Sequence, residues 1–320
     1  MNGKKYCIGV DLGGTNIAVG LVDIVSESIV GKKSVKTNAP RSCEAITRDI
    51  IDVCEYLCRE EGITLSDTEW IGVATPGIVK DDVVLAAFNL GWENAPFGDI
   101  IREMSKRPAY VANDANAAAY AEAVWGAGKG RKSLVAFTIG TGVGGGVVIG
   151  GKIWEGINGF AAELGHMIHE PGGRLCSCGK RGCIEAYCSA SALVRDTKAQ
   201  MELDKDSLMW QEVSGDIGRV SGKTAFRAAD LGDESAKLVI ANFTEALSTA
   251  VSNVVNILQP DVVCIGGGIS REGEKLLAPL REKVRAKSFG ADSASCEIVA
   301  ATFANDAGII GAALLGLQNK

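Results

Sequence analysis

The chain has 320 residues, of which 47% are hydrophobic and 22% charged, with 40 glycines and 7 prolines. This length is long for one hydrophobic core and suits two domains, and the composition is typical of a soluble globular α/β protein. The net charge of −6 argues against nucleic acid or an anionic membrane surface as a partner.

The ten cysteines could suggest disulfide bonds. However, the segment Met1–Val10 carries too few apolar residues for the core of a secretory signal. We therefore expect reduced thiols and a cytoplasmic location.

The first half of the chain is predicted to alternate strands and helices. Residues 6–23 indicate a strand, a glycine turn and a second strand, and residues 44–60 a helix. Two short buried strands follow at residues 70–74, which lead into Thr75-Pro76-Gly77, and at residues 110–112. Asn113-Asp114 then caps an alanine-rich helix over residues 115–125.

The segment Leu134–Ile149 repeats the plan of the opening segment, two strands around a glycine turn. This weak internal repeat predicts two domains with a boundary near residue 113. The later helices are predicted at residues 189–201, 221–229, 236–258 and from 307 onwards, the last capped near Asp306. Residues 261–270 are predicted to form a strand that ends in a glycine turn.

A histidine and three cysteines make up a predicted metal site: His166, Cys176, Cys178 and Cys183. A Cys₃His set is typical of a closed structural zinc site, and the surrounding loop is polar and rich in glycine. The alternative is three unrelated buried cysteines. Glu163 and Glu185 flank this loop, so bound zinc would fix both carboxylates as a polyol-binding site requires.

The two glycine turns are predicted to expose backbone N–H groups to a bulky anion. Thr15 follows Gly13-Gly14, and Thr141 lies within the run 140–146, so each turn adds a hydroxyl donor. The alternative is two tight hairpins without a ligand. The sequence of the second turn also matches the dinucleotide fingerprint GxGxxG. A Rossmann turn must lead into a helix, whereas a strand-like run follows this one, so we do not expect a dinucleotide site here. No GxxxxGK[ST] sequence is present, which excludes a P-loop.

Two acidic positions have both a functional and a structural interpretation. Asp11 ends a strand facing the first glycine turn, where it could hold Mg²⁺ through water or simply stabilise a turn. Asn113 and Asp114 are candidates for catalysis, but each is also a good N-cap for the helix that follows.

Taken together, these motifs resemble the ROK family of bacterial sugar kinases and related repressors. Asp11-Leu-Gly-Gly-Thr15 and Gly140-Thr-Gly-Val-Gly-Gly145 resemble its two phosphate motifs, and Asn113-Asp114 its sugar-binding Asn and catalytic Asp. Glu163-Leu-Gly-His166 with the cysteines and Glu185 resembles its sugar and zinc signature. Gly266-Gly-Gly-Ile-Ser270 falls where the family holds the nucleoside.

This resemblance implies an α/β protein of the actin-like ATPase (RNase H-like) fold, with two domains around an interdomain cleft. Residues 1–112 with the C-terminal helix 303–320 would form the small domain, and residues 113–302 the large domain with the zinc loop. The reaction that the resemblance implies transfers a phosphoryl group from ATP to a sugar hydroxyl, which we expect to be the 6-OH, with Asp114 as the base.

The resemblance also assigns ligands to the remaining site residues. The expected sugar ligands are Gly77, Asn89, Asn113, Asp114, Glu163, His166 and Glu185. The expected ATP and Mg²⁺ contacts are Asp11, Gly13, Gly14, Thr15, Gly140, Thr141, Gly142, Gly267 and Gly268. His166 would give one nitrogen to zinc and the other to the sugar.

Within this family we expect glucose as the substrate, and fructose, N-acetylmannosamine, N-acetylglucosamine and mannose stay open. The rival class is a sugar-responsive repressor, which carries a DNA-binding helix-turn-helix ahead of the first glycine motif. Only ten residues precede Asp11 here and the chain is acidic, so we expect the kinase. A non-catalytic sugar-binding protein is a further alternative. The family suggests a homodimer or homotetramer.

Overall fold

The computed structural model describes residues 5–290 and 296–319. The strands are β1 Tyr6–Leu12, β2 Asn16–Asp23, β3 Ser28–Lys36, β4 Ile71–Thr75, β5 Ile78–Lys80, β6 Val83–Ala87, β7 Trp92–Ala95, β8 Ala109–Asn113, β9 Ser133–Ile139, β10 Val143–Ile149, β11 Lys152–Ile153, β12 Val262–Gly267 and β13 Glu297–Ala300. The α-helices are α1 Cys43–Glu60, α2 Phe97–Ser105, α3 Asp114–Val124, α4 Glu185–Cys188, α5 Ala190–Leu203, α6 Met209–Glu212, α7 Thr224–Asp230, α8 Glu234–Leu258, α9 Glu274–Lys287 and α10 Ala307–Leu314.

The strands form two five-stranded sheets and one small sheet. The first has the order β3-β2-β1-β4-β8, in which β1 pairs antiparallel with β2 and parallel with β4, and β4 parallel with β8. The second has the order β11-β10-β9-β12-β13, and β5-β6-β7 is an antiparallel meander. Because β1, β4 and β8 run in one direction, their carboxyl ends lie at one edge of the sheet. Asp11, Thr75 and Asn113 lie at or next to these ends.

The chain divides into two compact units. One comprises residues 1–134, 146–162 and 305–320, and the other residues 135–145 and 163–304. This division differs from the predicted boundary at residue 113, since α3 belongs with the first unit. The reason is close packing of α3 on α10: a methyl group built on Gly311 would lie 1.8 Å from the carbonyl oxygen of Ala117. The assignment of functional domains stays a prediction.

In the first unit, helix α10 lies directly on the sheet. A methyl group on Gly9 of β1 would lie 2.0 Å from the carbonyl oxygen of Ile309, and one on Gly72 of β4 would lie 1.8 Å from that of Ala312. Side chains at these two strand positions would push the helix away. This packing brings the first turn of α10 to the end of β1, beside Asp11.

In the second unit, helix α8 is the central helix and packs against α5, α7 and α9. Within the described residues it is the one helix long and apolar enough to cross a membrane by length and composition. However, 61% of its apolar window is buried in the protein, as in the core helix of a globular domain.

The predicted elements agree with the structure at most positions. Both glycine turns connect neighbouring strands, and the second leads into β10, so it is not a Rossmann turn. The predicted helices at residues 44–60, 115–125, 221–229 and 236–258 correspond to α1, α3, α7 and α8. The helix predicted from residue 189 is α5, and the C-terminal helix ends as an α-helix at Leu314 before a 3₁₀ segment.

Candidate active site

Asp11 lies near the end of β1 in a poorly hydrated, acidic environment. Desolvation by burial and repulsion from the Asp114 carboxylate raise its pKa to about 6, although the positive charge of Lys32 opposes the rise. Lys32 also forms an ion pair with Asp306, the N-cap of α10. A methyl group on Gly308 would lie 2.7 Å from the Asp11 carboxylate, so only glycine leaves this carboxylate its space.

Asn113 and Asp114 lie where β8 meets α3, and the structure separates their roles. Asn113 is the N-cap: its Oδ1 accepts hydrogen bonds from the N–H groups of Ala115 at 2.9 Å and Asn116 at 3.2 Å. Its Nδ2 donates to the carbonyl oxygen of Gly77 at 2.9 Å.

Asp114 is the first residue of α3, and its side chain is exposed. Its Oδ1 accepts a hydrogen bond of 2.8 Å from the Ala115 N–H group. Desolvation nevertheless dominates and raises the pKa of Asp114 above the ordinary value of an aspartate. The result is a reachable carboxylate with increased affinity for a proton, as a general base requires.

The first glycine turn is held by hydrogen bonds to its main chain. The Gly13 N–H donates to the Asn16 carbonyl oxygen at 2.9 Å, and the Thr37 hydroxyl donates to the Gly13 carbonyl oxygen at 2.6 Å. The side chain of Thr15 is exposed. A methyl group on Gly14 would lie 3.2 Å from Cβ of Asn89, so this predicted sugar ligand lies next to the turn.

Gly77 has a structural reason to be glycine. Its φ of 96° lies in the left-handed region, and a methyl group there would lie 2.1 Å from the carbonyl oxygen of Ala86. Its carbonyl oxygen accepts the hydrogen bond from Asn113, so Gly77 orients the side chain next to Asp114.

In the second unit, two glycine turns lie at the ends of the neighbouring strands β9 and β12. The Gly140 N–H donates to the Gly142 carbonyl oxygen at 2.9 Å. A methyl group on Gly267 would lie 2.0 Å from the carbonyl oxygen of Ile139, which precedes Gly140. Methyl groups on Gly140 and Gly268 would meet no atom within 4 Å, so both turns face open space. The structure thus brings together the predicted phosphate and nucleoside segments of this unit.

The four predicted metal ligands converge in the second unit. The ligand atoms of His166, Cys176, Cys178 and Cys183 all lie within 4.8 Å of one another. The Cys178 and Cys183 sulfurs are 3.7 Å apart, and the Cys176 sulfur is 3.8 Å from Nδ1 of His166. A tetrahedral zinc with Zn–S of about 2.3 Å places two sulfurs about 3.8 Å apart, whereas a disulfide needs about 2.05 Å. The residues therefore fit zinc.

The loop that carries these ligands is closed by its own main chain. The Cys176 N–H donates to the Lys180 carbonyl oxygen at 2.8 Å, and the Gly179 N–H to the Cys176 carbonyl oxygen at 3.0 Å. Gly182 has a φ of 86°, and a methyl group there would lie 1.9 Å from the Glu170 carbonyl oxygen. These tight turns require glycine, as the predicted convergence of the thiols implied.

The two flanking glutamates differ in their surroundings. Glu163 is exposed at the start of a 3₁₀ turn, and its carbonyl oxygen accepts a hydrogen bond of 3.0 Å from the His166 N–H. Glu185 begins α4, and its Oε2 accepts a hydrogen bond of 3.0 Å from the Val143 N–H. Its Oε1 accepts one of 2.6 Å from Ser177.

Hydrogen bonds also control the ionisation of Glu185. Desolvation would raise its pKa, but donation from Ser177, from the Val143 N–H and, as long as its thiol is protonated, from Cys176 outweighs this effect and holds the pKa below the usual value. The carboxylate predicted to bind sugar is thus already bound to the second glycine turn.

The structure adds three residues that sequence reasoning missed: Lys32, Gly308 and Ser177. Lys32 is brought near Asp11 by the pairing of β1, β2 and β3 in the sheet, and Gly308 by the packing of α10 on that sheet. Ser177 lies between two predicted ligands, so its position inside the metal loop was the one signal available. The other predicted residues lie within their units as described above.

Comparisons with known proteins agree with this arrangement. The ROK family matches residues 7–319. The glucokinase of Halalkalibacterium halodurans is 36% identical, with 99% of this chain and 96% of that protein aligned. The crystal structure of a ROK glucokinase from Streptomyces griseus, in complex with glucose and AMPPNP, superposes with a TM-score of 0.79 at 35% identity, covering 98% and 99% of the two chains.

The family also includes regulators. A xylose repressor of Caldicellulosiruptor bescii is 30% identical over 95% of this chain, and the match spans 76% of the repressor. The structural similarity to ROK sugar kinases confirms the predicted actin-like ATPase fold. This chain belongs to the ROK family.

Proposed function

We propose that this protein is an ATP-dependent glucokinase that transfers the γ-phosphoryl group of ATP to the 6-hydroxyl of glucose. The observation that carries the proposal is Asp114, a reachable carboxylate whose pKa is raised by desolvation, at the end of β8. The similarity to glucokinases along almost the full length of both chains supports this choice over a repressor.

In this mechanism Asp114 orients the acceptor hydroxyl and accepts its proton as the phosphoryl group is transferred. A raised pKa favours the transfer of that proton to the carboxylate, and the Ala115 N–H holds Oδ1 in position. Asn113 and Gly77 keep the end of β8 fixed through their hydrogen bond, so that the base does not drift from the acceptor.

Asp11 is the group that would hold Mg²⁺, through water, on the nucleotide side of the site. Its environment fits a cation, because its carboxylate and that of Asp114 repel each other in a poorly hydrated region. The bound ion supplies charge neutralisation on the phosphate oxygens. The N–H groups around Gly13, Gly14 and Thr15, and around Gly140, Thr141 and Gly142, would bind the phosphates. Gly267 and Gly268 would lie against the nucleoside.

The residues proposed to bind the sugar are Gly77, Asn89, Asn113, Asp114, Glu163, His166 and Glu185. His166 directs Nδ1 towards the Cys176 sulfur. Nε2 is then the nitrogen available to a ring hydroxyl. Zinc would hold the imidazole in this orientation and stabilise the loop between the two glutamates.

A coupled assay of ADP release tests the proposal. The purified protein is supplied with ATP, Mg²⁺ and, in turn, glucose, fructose, mannose, N-acetylglucosamine and N-acetylmannosamine. We expect the highest kcat/KM with glucose. A higher kcat/KM with another hexose would make that hexose the substrate in place of glucose. If no hexose led to ADP release although one of them bound measurably, the protein would be a sugar-binding protein without catalysis. The cytoplasmic location, the homodimer or homotetramer and the absence of nucleic-acid and membrane partners stay predictions.

A further inference from the structure

Glu185 makes contacts that a sugar ligand does not need. Its Oε2 accepts a hydrogen bond from the Val143 N–H at 3.0 Å, and Val143 lies at the end of the glycine turn 140–143, where β10 begins. A methyl group on Gly142 would lie 2.3 Å from the same oxygen, so the carboxylate lies against the main chain of the turn. Its Oε1 accepts from Ser177, which lies between two predicted metal ligands.

Together these contacts join two segments that are distant along the chain. Val143 and Glu185 are 42 residues apart, and one carboxylate links the glycine turn to the metal loop. Cys176 lies 3.4 Å from Oε1, but as a metal-bound thiolate it has no proton to donate. The Val143 N–H and the Ser177 hydroxyl then remain as the donors that position the carboxylate.

We propose that Glu185 is a positioning residue for the nucleotide: it ties the glycine turn 140–143 to the metal loop and so sets the main chain on which the phosphates bind. The inference rests on the proposed function, because both require that the glycine turn 140–143 binds the phosphates of ATP. It assigns Glu185 a role towards ATP in addition to the sugar role proposed above.

The glycines of the turn offer a matched pair of variants. In Gly142→Ala the new methyl group displaces the Glu185 carboxylate, which is the end of a flexible side chain and can move at little cost to folding. In Gly140→Ala the methyl group meets nothing within 4 Å. We therefore expect Gly142→Ala to disturb the turn as Glu185→Ala does, and Gly140→Ala to leave the hydrogen bond to the Val143 N–H in place.

The first measurement is amide hydrogen exchange across residues 140–145 in the protein without sugar or nucleotide. Glu185→Ala, Glu185→Asp and Gly142→Ala should lose protection there, because an alanine or the shorter aspartate cannot reach the Val143 N–H. Glu185→Gln keeps an acceptor and should keep protection. Unchanged exchange in Glu185→Ala would overturn the proposal, whatever the sugar specificity of the enzyme.

The second measurement is the Kd of Mg²⁺–ADP, with glucose Kd and zinc content determined on the same samples. The lost hydrogen bond supports the turn and does not contact the nucleotide, so only part of its strength reaches ADP, and we expect an about two- to tenfold weaker Kd for ADP. In a double-mutant cycle Glu185→Ala and Gly142→Ala should be strongly non-additive, since each removes the same contact. Additive effects, or weaker glucose binding with unchanged ADP binding, would make Glu185 a sugar ligand only.

If Glu185→Ala does not fold, Ser177→Ala and Gly142→Ala still decide the question. Ser177 is exposed and lies outside the proposed catalytic and binding groups. Its removal frees Oε1 and should weaken ADP binding less than Gly142→Ala does. Wild-type exchange and ADP affinity in both Ser177→Ala and Gly142→Ala would overturn the proposal. If the variants lost amide protection as expected but the wild-type protein phosphorylated no hexose, the positioning role of Glu185 would stand and the proposed function would be wrong.

Discussion

The two units of this protein hold their charged groups in opposite ways. In the first, burial and repulsion from Asp114 raise the pKa of Asp11, and desolvation raises the pKa of Asp114 although its side chain stays reachable. In the second, Glu185 receives enough hydrogen bonds to keep its pKa low, and the ligand atoms of the four predicted metal ligands lie within 4.8 Å of one another. The two carboxylates proposed to act on the substrates thus carry a desolvation cost, whereas hydrogen bonds within the metal loop stabilise the geometry of that loop.

Substitution of Asp114 is expected to have the largest effect on activity. Asp114→Ala should lower kcat by about 10²- to 10⁴-fold, the usual contribution of a general base. Because Asn113 is the N-cap of α3, the unfolding midpoint should change little. Asp114→Asn is the matched control, since it keeps an acceptor for the Ala115 N–H but cannot take a proton; it should lose activity equally. Near wild-type kcat in either variant would remove Asp114 from the mechanism.

On the structural side, metal analysis should find about one zinc per chain. Cys183→Ser should lower metal affinity by more than the about 10- to 100-fold typical of an outer-shell partner, and glucose affinity should fall with it. Cys296→Ser is the control, because this thiol is outside the cluster. Loss of zinc with an unchanged KM for glucose would place the metal loop outside the sugar site.

His166 connects the structural and the substrate-binding roles. A Cys₄ site still binds zinc, so His166→Cys should keep the metal. If Nε2 donates to a ring hydroxyl, glucose binding should weaken by about 0.5–1.5 kcal/mol, or about two- to tenfold in Kd. Zinc content and the glucose Kd of this variant separate the two roles, and full zinc with unaltered Kd would make His166 a metal ligand only.

The smallest effect concerns stability and pH in the protein without nucleotide and Mg²⁺. The folded-state pKa of Asp11 is about 6, above the ordinary value of 3.8, so its contribution is favourable at low pH and is lost as the pH rises towards 6. Asp11→Asn should therefore raise the unfolding midpoint at pH 7 more than at pH 5.

Asp23, at the end of β2, is the matched control for Asp11. Desolvation is outweighed there by hydrogen bonds from the N–H groups of Val25 and Lys5 and from Ser26, so the pKa of Asp23 is lowered. Its contribution is present at neutral pH and is lost as the pH falls. Asp23→Asn should lower the midpoint at pH 7, and equal signs for the two variants would contradict the contrast between the two carboxylates.

Local sequence was sufficient to predict several parts of this molecule. Alternating apolar runs around glycines predicted both hairpins, and Asn113-Asp114 marked the start of α3, because hairpin turns and caps depend on neighbouring residues. The spacing of His166 and the cysteines predicted the metal site, since that loop closes on itself. Helix α9 was missed, and Pro279 inside it interrupts the helical pattern.

Only the tertiary structure decided how distant segments meet. Asn113 and Asp114 each read as a cap or a catalytic group, and the hydrogen bonds of Asn113 made it the cap. The packing of α10 on β1 and β4 brought Gly308 to Asp11, and the return of the chain at α4 brought Glu185 to Val143. Such contacts form between segments that are tens to hundreds of residues apart along the chain. The periodicity or spacing within one segment therefore does not indicate which other segment it packs against.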